Sequence, residues 1–141
     1  MYKKILVAVD NSPTDQAMFP HIAELAKIHR SGLLLVHVAD GWAARNYDRF
    51  QLADSEEMKE DRAYLERMAA DLRAQGLEVK THLALGDPAN EILQTATDEA
   101  CDLIAMTTHG HRFFKDLIYG STITRVRHRA HLPVLLVNAT K

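Results

Sequence analysis

Short apolar runs alternate with amphipathic stretches along almost the whole chain. Residues 4–10, KILVAVD, form an apolar run closed by an acid, and NSPTD then supplies turn and cap residues before helical spacing begins. In that predicted helix Met18, Ile22 and Leu25 recur at intervals of three and four, with Phe19 and Ala26 beside them, until Ser31 and Gly32 stop it. Residues 33–38, LLLVHV, are apolar on both faces, the pattern of a strand covered by helices on either side. Residues 39–54 carry Trp42, Tyr47 and Phe50 with no clear period and read as a variable loop. A long helix follows from about Ser55 to Gln75, with Met58, Leu65, Met68, Ala69 and Leu72 on one face, acids at its start and Gly76 at its end.

The second half repeats the plan. LEVKTHLAL alternates as a strand, GDPANEILQTATDEA reads as a turn and helix, and DLIAMT is a fourth strand leading into the polar loop THGHR. A helix marked by Leu117, Ile118, Ile123 and Val126 leads to HLPVLLV, a fifth strand whose Pro133 suits the start of an edge strand. The order βαβαβαβαβ predicts an α/β fold: an open, doubly wound, five-stranded parallel sheet with right-handed crossovers and helices on both faces. Such sheets take ligands outside the carboxyl ends of their strands, at the switch point. Those ends are Asp10, Val38 to Asp40, Gly86 to Pro88, and Thr107 to Gly110.

Composition narrows the partners. A chain of 141 residues, 47% of them hydrophobic, can build one full core, so a single domain over 1–141 is expected. Lys+Arg 17 against Asp+Glu 19 gives a net charge of -2, which offers no overall attraction to nucleic acid or an anionic membrane. The single Cys101 cannot form an internal disulfide, MYKKILVAVD lacks a signal-peptide pattern, and no apolar run approaches a membrane span, so the expected location is cytoplasmic.

The strongest local signal is T-T-H-G at 107–110, nine residues, then Gly120, Ser121 and Thr122. Glycine after a strand lets backbone approach a phosphate, amides near a helix start bind negative charge, and Ser and Thr hydroxyls add donors. The pattern suits a polyphosphate. ILVAVDNS, LLLVHV, GDPANEI, DLIAMTTHG and GSTITRV stand in the order and positions seen in universal stress proteins, which the chain resembles over nearly its full length. The nucleotide-binding members of that family carry G-x-x-G, nine residues, then G-S/T; here Gly110, Gly120 and Ser121 match, while Thr107 replaces the first glycine. GSTITRV also departs from the commoner family run GSVAERV.

The resemblance implies an adenine-nucleotide pocket for ATP, AMP or ADP, with magnesium or manganese held by the phosphates and no protein metal site. Ala8, Val9 and Asp10 would lie against the adenosine half, with Asp10 accepting from a ribose or adenine donor. The Val38 backbone would read the adenine edge, Met106 would line the pocket, Gly110, Gly120, Ser121, Thr122 and Ile123 would hold the phosphates, mostly through backbone amides, and Thr107 and His109 belong to the same binding set. The resemblance further implies a homodimer joined through the last strand, residues 132–138.

Plainer roles stand beside these. Asp10 can instead cap the first helix or join a loop network, and His109 and His111 lack a third metal ligand at suitable spacing. His37, inside an apolar strand, reads as a hydrogen-bonded core imidazole. Arg125, Arg127, His128, Arg129 and His131 suit a solvated helix C-terminus more than a phosphate site, and Cys101 has no activating neighbour. Three functions remain open: a nucleotide-binding regulator read by an unidentified protein partner, a slow ATPase or phosphotransferase using Asp10, His109 or His111, and a nucleotide-free dimeric partner-binding module. The enzyme reading lacks both G-x-x-x-x-G-K-[ST] and G-x-G-x-x-G. A phosphorylation receiver lacks its acid cluster, since Asp10 has no acidic neighbour in sequence.

Overall fold

The computed structural model describes residues 1–39, 56–108 and 117–139, with the backbone alone for 117–120. The elements run β1 (Lys4–Ala8), α1 (Asp15–His29), β2 (Gly32–Ala39), α2 (Glu56–Arg73), β3 (Val79–Leu85), α3 (Pro88–Asp98), β4 (Leu103–Thr108), α4 (Leu117–Arg129) and β5 (Val134–Asn138). The five strands form one sheet in the order β3-β2-β1-β4-β5, and every pairing is parallel. The expected plan is borne out. β1 is shorter than its apolar run because the chain turns into a loop at Val9 and Asp10.

The pleat sends successive side chains to opposite faces. Ile5, Val7, Leu33, Leu35, Leu103 and Ala105 face α1 and α2, where they pack with Met18, Ile22, Leu65 and Leu72. Leu6, Ala8, Leu34, Val36, Ile104 and Met106 face α3 and α4, where they pack with Ile92, Ala96, Ile123 and Val126. Both faces of the central strands are therefore buried, which is why those strands read as unbroken apolar runs.

The turns explain where the elements stop. Gly76 ends the α2 region at φ 89, and Gly86 follows β3 at φ 137, a backbone setting that L side chains rarely adopt. Asp87 then caps α3, accepting from the Asn90 amide at 3.0 Å, with Pro88 in the first helical turn. β5 lies at one edge of the sheet, as Pro133 suggested.

Candidate functional site

The strand order reverses direction between β1 and β4, so their carboxyl ends border the switch point. Ala8 and Met106 lie on the α3/α4 face, in one cluster with Ile123 of α4 and the partly buried Val38 of β2. Four residues separated by as many as 115 positions are thereby brought together at one end of the sheet. Ala8 and Met106 are fully covered, whereas Asp10 and Val38 are half-buried on the rim above them. A fixed acceptor at the rim of an apolar strand end suits a flat ring system that carries hydrogen-bond donors.

Asp10 does not cap α1. Its Oδ2 accepts from Ser12 Oγ at 2.8 Å, and that hydroxyl also lies 2.8 Å from Thr14 Oγ1. Its amide donates to Asp15 Oδ1 at 3.0 Å, and the Asn11 amide donates to Asp15 Oδ2 at 2.9 Å. Of the two plain alternatives for Asp10, the loop network is the one formed. Thr14 at the N-cap position of α1 makes no side-chain cap bond.

Val9 and Thr107 fall on the other side of the sheet from Ala8 and Met106. The Val9 side chain is buried among the α1/α2 cluster, its amide donates to the Val36 carbonyl at 2.8 Å, and its carbonyl accepts from His37 Nδ1 at 2.9 Å. Thr107 is 2% exposed and shares the pleat face of Leu103 and Ala105. Its side chain therefore does not stand on the face where Ala8, Met106 and Ile123 meet. Gly120 and Ser121 fall at the start of α4, with Ser121 exposed and Thr122 buried. His109, Gly110 and His111, like Trp42, Tyr47 and Phe50, lie outside the described residues.

A buried polar network under the β1–α1 loop was not among the expected site residues. Tyr64 Oη donates to Asp15 Oδ2 at 2.6 Å, the Asn11 side-chain amide donates to Asp61 Oδ1 at 2.8 Å, and Asp61 Oδ2 lies 3.3 Å from His37 Nε2. Burial pushes the Asp15 carboxyl up, against the opposing pull of Tyr64 and the loop amides. Burial and the neighbouring Asp15 charge raise the Tyr64 phenol, so Tyr64 is the donor of that pair. Burial pulls His37 down, but Asp61 and the Val9 carbonyl outweigh it, and the imidazole keeps its proton above its ordinary 6.5. Burial likewise pushes Asp61 up, yet the bonds from His37 and Asn11 prevail and hold it below the usual carboxylate range.

These residues left a trace in the sequence. Asp15 stands on the buried stripe of α1 with Met18, Ile22 and Ala26, and Asp61 on that of α2 with Met58 and Leu65. An acid on an apolar helical stripe signals a buried polar partner. His37, by contrast, is the hydrogen-bonded strand imidazole that was expected.

Arg127, His128, Arg129 and His131 are exposed at and just beyond the end of α4, in keeping with the solvated-face reading, and two arginines of the run also make surface contacts with α3. Arg125 binds Asp87 through two bonds of 2.9 and 2.8 Å, and Arg129 donates to Asn90 Oδ1 at 2.6 Å. These side chains clamp α4 to the start of α3. Cys101 is half-buried, and desolvation pushes its thiol up to about 11, which leaves it inert. Among the described residues no group of three or more His, Cys, Asp or Glu is arranged to hold a metal, and no helix is long and apolar enough to cross a membrane.

An open parallel sheet, doubly wound, with helices on both faces defines a Rossmann-like α/β protein, and the Asp10 carboxylate stands at its switch point. The family model for the universal stress protein family matches residues 1–138, and the chain belongs to that family. It is similar to universal stress protein MJ0577 of Methanocaldococcus jannaschii, 29% identical over 154 residues, spanning 97% of this chain and 95% of that one. Universal stress protein MJ0531 of the same organism is 30% identical over 147 residues, spanning 100% and 85%. The solved structure of MJ0577 matches with a TM-score of 0.80 at 29% identity, covering 100% of this chain and 99% of that one. A universal stress protein from Archaeoglobus fulgidus, solved in complex with dAMP, shares the fold at a TM-score of 0.72 and 22% identity, covering 96% and 98%.

Proposed function

We propose that this chain is a cytosolic, single-domain regulatory protein that binds an adenine nucleotide, ATP or AMP, at the carboxyl ends of β1, β2 and β4. The observation that carries the reading is the Asp10 carboxylate, oriented by Ser12 at 2.8 Å on the rim above Ala8, Met106 and Ile123. Asp10 accepts from the adenosine half, Val38 offers backbone to the base, and the Gly110 loop with Gly120, Ser121 and Thr122 takes the phosphates and the magnesium or manganese they carry. The dAMP complex of the Archaeoglobus fulgidus relative supports an adenine nucleotide in this fold. The placement of Thr107 on the α1/α2 pleat face supports retention of nucleotide despite the lost glycine.

The functional unit is a homodimer through β5. Ile104 N donates to Pro133 O and Ala139 N to Thr108 O, so odd-numbered β5 residues face β4, and the backbone groups of Val134 and Leu136 face outward. Leu136 is 36% exposed on that strand. The opposite edge is covered at its start, where the outward carbonyl of Val79 in β3 accepts from Arg73 Nε at 3.0 Å and Nη2 at 2.6 Å. The apolar edge of β5, with Leu136 exposed on it, favours pairing there.

Protein purified without added nucleotide, then denatured and chromatographed, is expected to release adenine nucleotide, and Gly120→Val to release none. Release of no adenine nucleotide by the wild type, together with no thermal shift on adding ATP or AMP, would place the chain with a nucleotide-free dimeric module instead.

A further inference from the structure

Asn11, Asp61 and His37 form a continuous set of contacts beneath the loop that presents Asp10, and the nucleotide reading does not use them. Asn11 holds φ 56, a left-handed setting that Asn tolerates better than most residues. Its amide is taken by Asp15 at 2.9 Å and its side chain by Asp61 at 2.8 Å, so this strained position is fixed from two sides. Asp10, the preceding residue, is bound to the same Asp15 carboxylate and moves with it.

The other end of the set is a histidine with an acceptor at each nitrogen. His37 Nδ1 lies 2.9 Å from the Val9 carbonyl and Nε2 lies 3.3 Å from Asp61 Oδ2. Only the imidazolium carries a proton for both. The neutral ring keeps only one of these two bonds, in a place where His37 and Asp61 side chains are 13% and 8% exposed.

We propose that Asp61 is a positioning residue of the nucleotide site: through Asn11 it fixes the loop that presents Asp10, and through His37 it ties the strength of that hold to the protonation of the imidazole. The proposal rests on the nucleotide reading for its effect on affinity, but not for its effect on the loop. The charged groups acting on His37 are Asp61 from α2 and, at longer range, Asp10 from the β1–α1 loop. β3 pairs Leu83 with it, while His82 of β3 and Arg62 of α2 are exposed and Tyr64 is engaged by Asp15. Because His37 is held protonated above its ordinary 6.5, the support is complete below that pH and is lost as pH rises through the raised value.

Two substitutions separate positioning from simple structural support. In Asp61→Asn the new carbonyl still accepts from Asn11, and the new amide donates to neutral His37 Nε2 while Nδ1–H donates to Val9. That network suits an uncharged ring, so the variant stays ordered and loses its pH dependence. Asn11→Gly keeps the left-handed backbone at no steric cost and cuts only the side-chain link to Asp61.

The test uses the full chain, isotope-labelled, with the His37 ring and the Asp10 and Asn11 amides followed by NMR from about pH 5.5 to about pH 8.5 without ligand. In the wild type the two amides are expected to titrate with the ring midpoint, and in Asp61→Asn and Asn11→Gly they are not. Calorimetric titration with AMP at both ends of the range then gives a Kd ratio of wild type to Asp61→Asn that rises by about tenfold with pH, a ratio in which the titration of AMP itself cancels. Loop amides that ignore His37, or an Asp61→Asn protein that keeps the wild-type pH profile, overturn the proposal. A loop that titrates in a protein binding neither AMP nor ATP at any pH overturns the nucleotide reading and the affinity half of the proposal, and is distinguishable from loss of the loop coupling.

Discussion

On the α1/α2 face of the sheet, Asp15, Asp61 and Tyr64 are 0%, 6% and 8% exposed; Tyr64 donates to Asp15, and Asp61 accepts from Asn11. On the α3/α4 face the buried polar side chains among the described residues are Thr95 and Thr122, and the contacts of Arg125 with Asp87 and Arg129 with Asn90 lie at the surface. The first face contains buried charge that must find partners in one geometry, and it lies under the β1–α1 loop. The second contains apolar side chains that pack non-directionally, and it lies under the strand ends Ala8 and Met106. Directional bonds fix a loop in a way that apolar burial does not. The division places the hydrogen-bonded loop carrying Asp10 beside an apolar wall.

Substitutions on the two faces should therefore fail differently. The largest effect is expected from Asp15→Ala, which strips the acceptor from the Asp10 and Asn11 amides and from Tyr64. Three donors losing a buried partner cost about 4 kcal/mol in urea unfolding, and nucleotide affinity falls with it. Ile92→Ala on the other face leaves a cavity worth about 3 kcal/mol, with the Asp10 and Asn11 amide shifts unchanged. Equal disturbance of those amides by both variants would erase the distinction between the faces.

Tyr64→Phe removes one donor from Asp15 and keeps the ring in the core, for a loss of about 1.5 kcal/mol read from the denaturant midpoint. The smallest effect belongs to Arg125→Ala. Its pair with Asp87 is 40% exposed on both sides, so the unfolding midpoint should stay near the wild type and any difference should vanish in high salt.

Much of this was legible in the chain. The apolar runs identified all five strands, and the spacing of Met18, Ile22 and Leu25 identified a helix face on which Met18 and Ile22 are buried and Leu25 half-buried. Val9 and Thr107 were grouped with Ala8 and Met106 because motif positions are read as neighbours, although adjacent strand residues point to opposite faces. The partners of Arg125 lay hidden for another reason: Asp87 is 38 residues away, and only the packing of α3 on α4 brings the two together. Asp61 belongs to both cases. It was read with the acids at the start of its helix, although it shares the buried stripe with Met58 and Leu65, and its contact with Asn11 spans 50 positions and depends on the whole sheet.

The most direct test of the account is calorimetric titration of nucleotide-stripped protein with ATP and AMP, for the wild type and for Asp10→Ala. The account predicts micromolar binding by the wild type, about 8 kcal/mol, and a loss of about tenfold or more in the variant while its unfolding midpoint holds. Absence of heat with either nucleotide, or equal affinity of the two proteins, would contradict it.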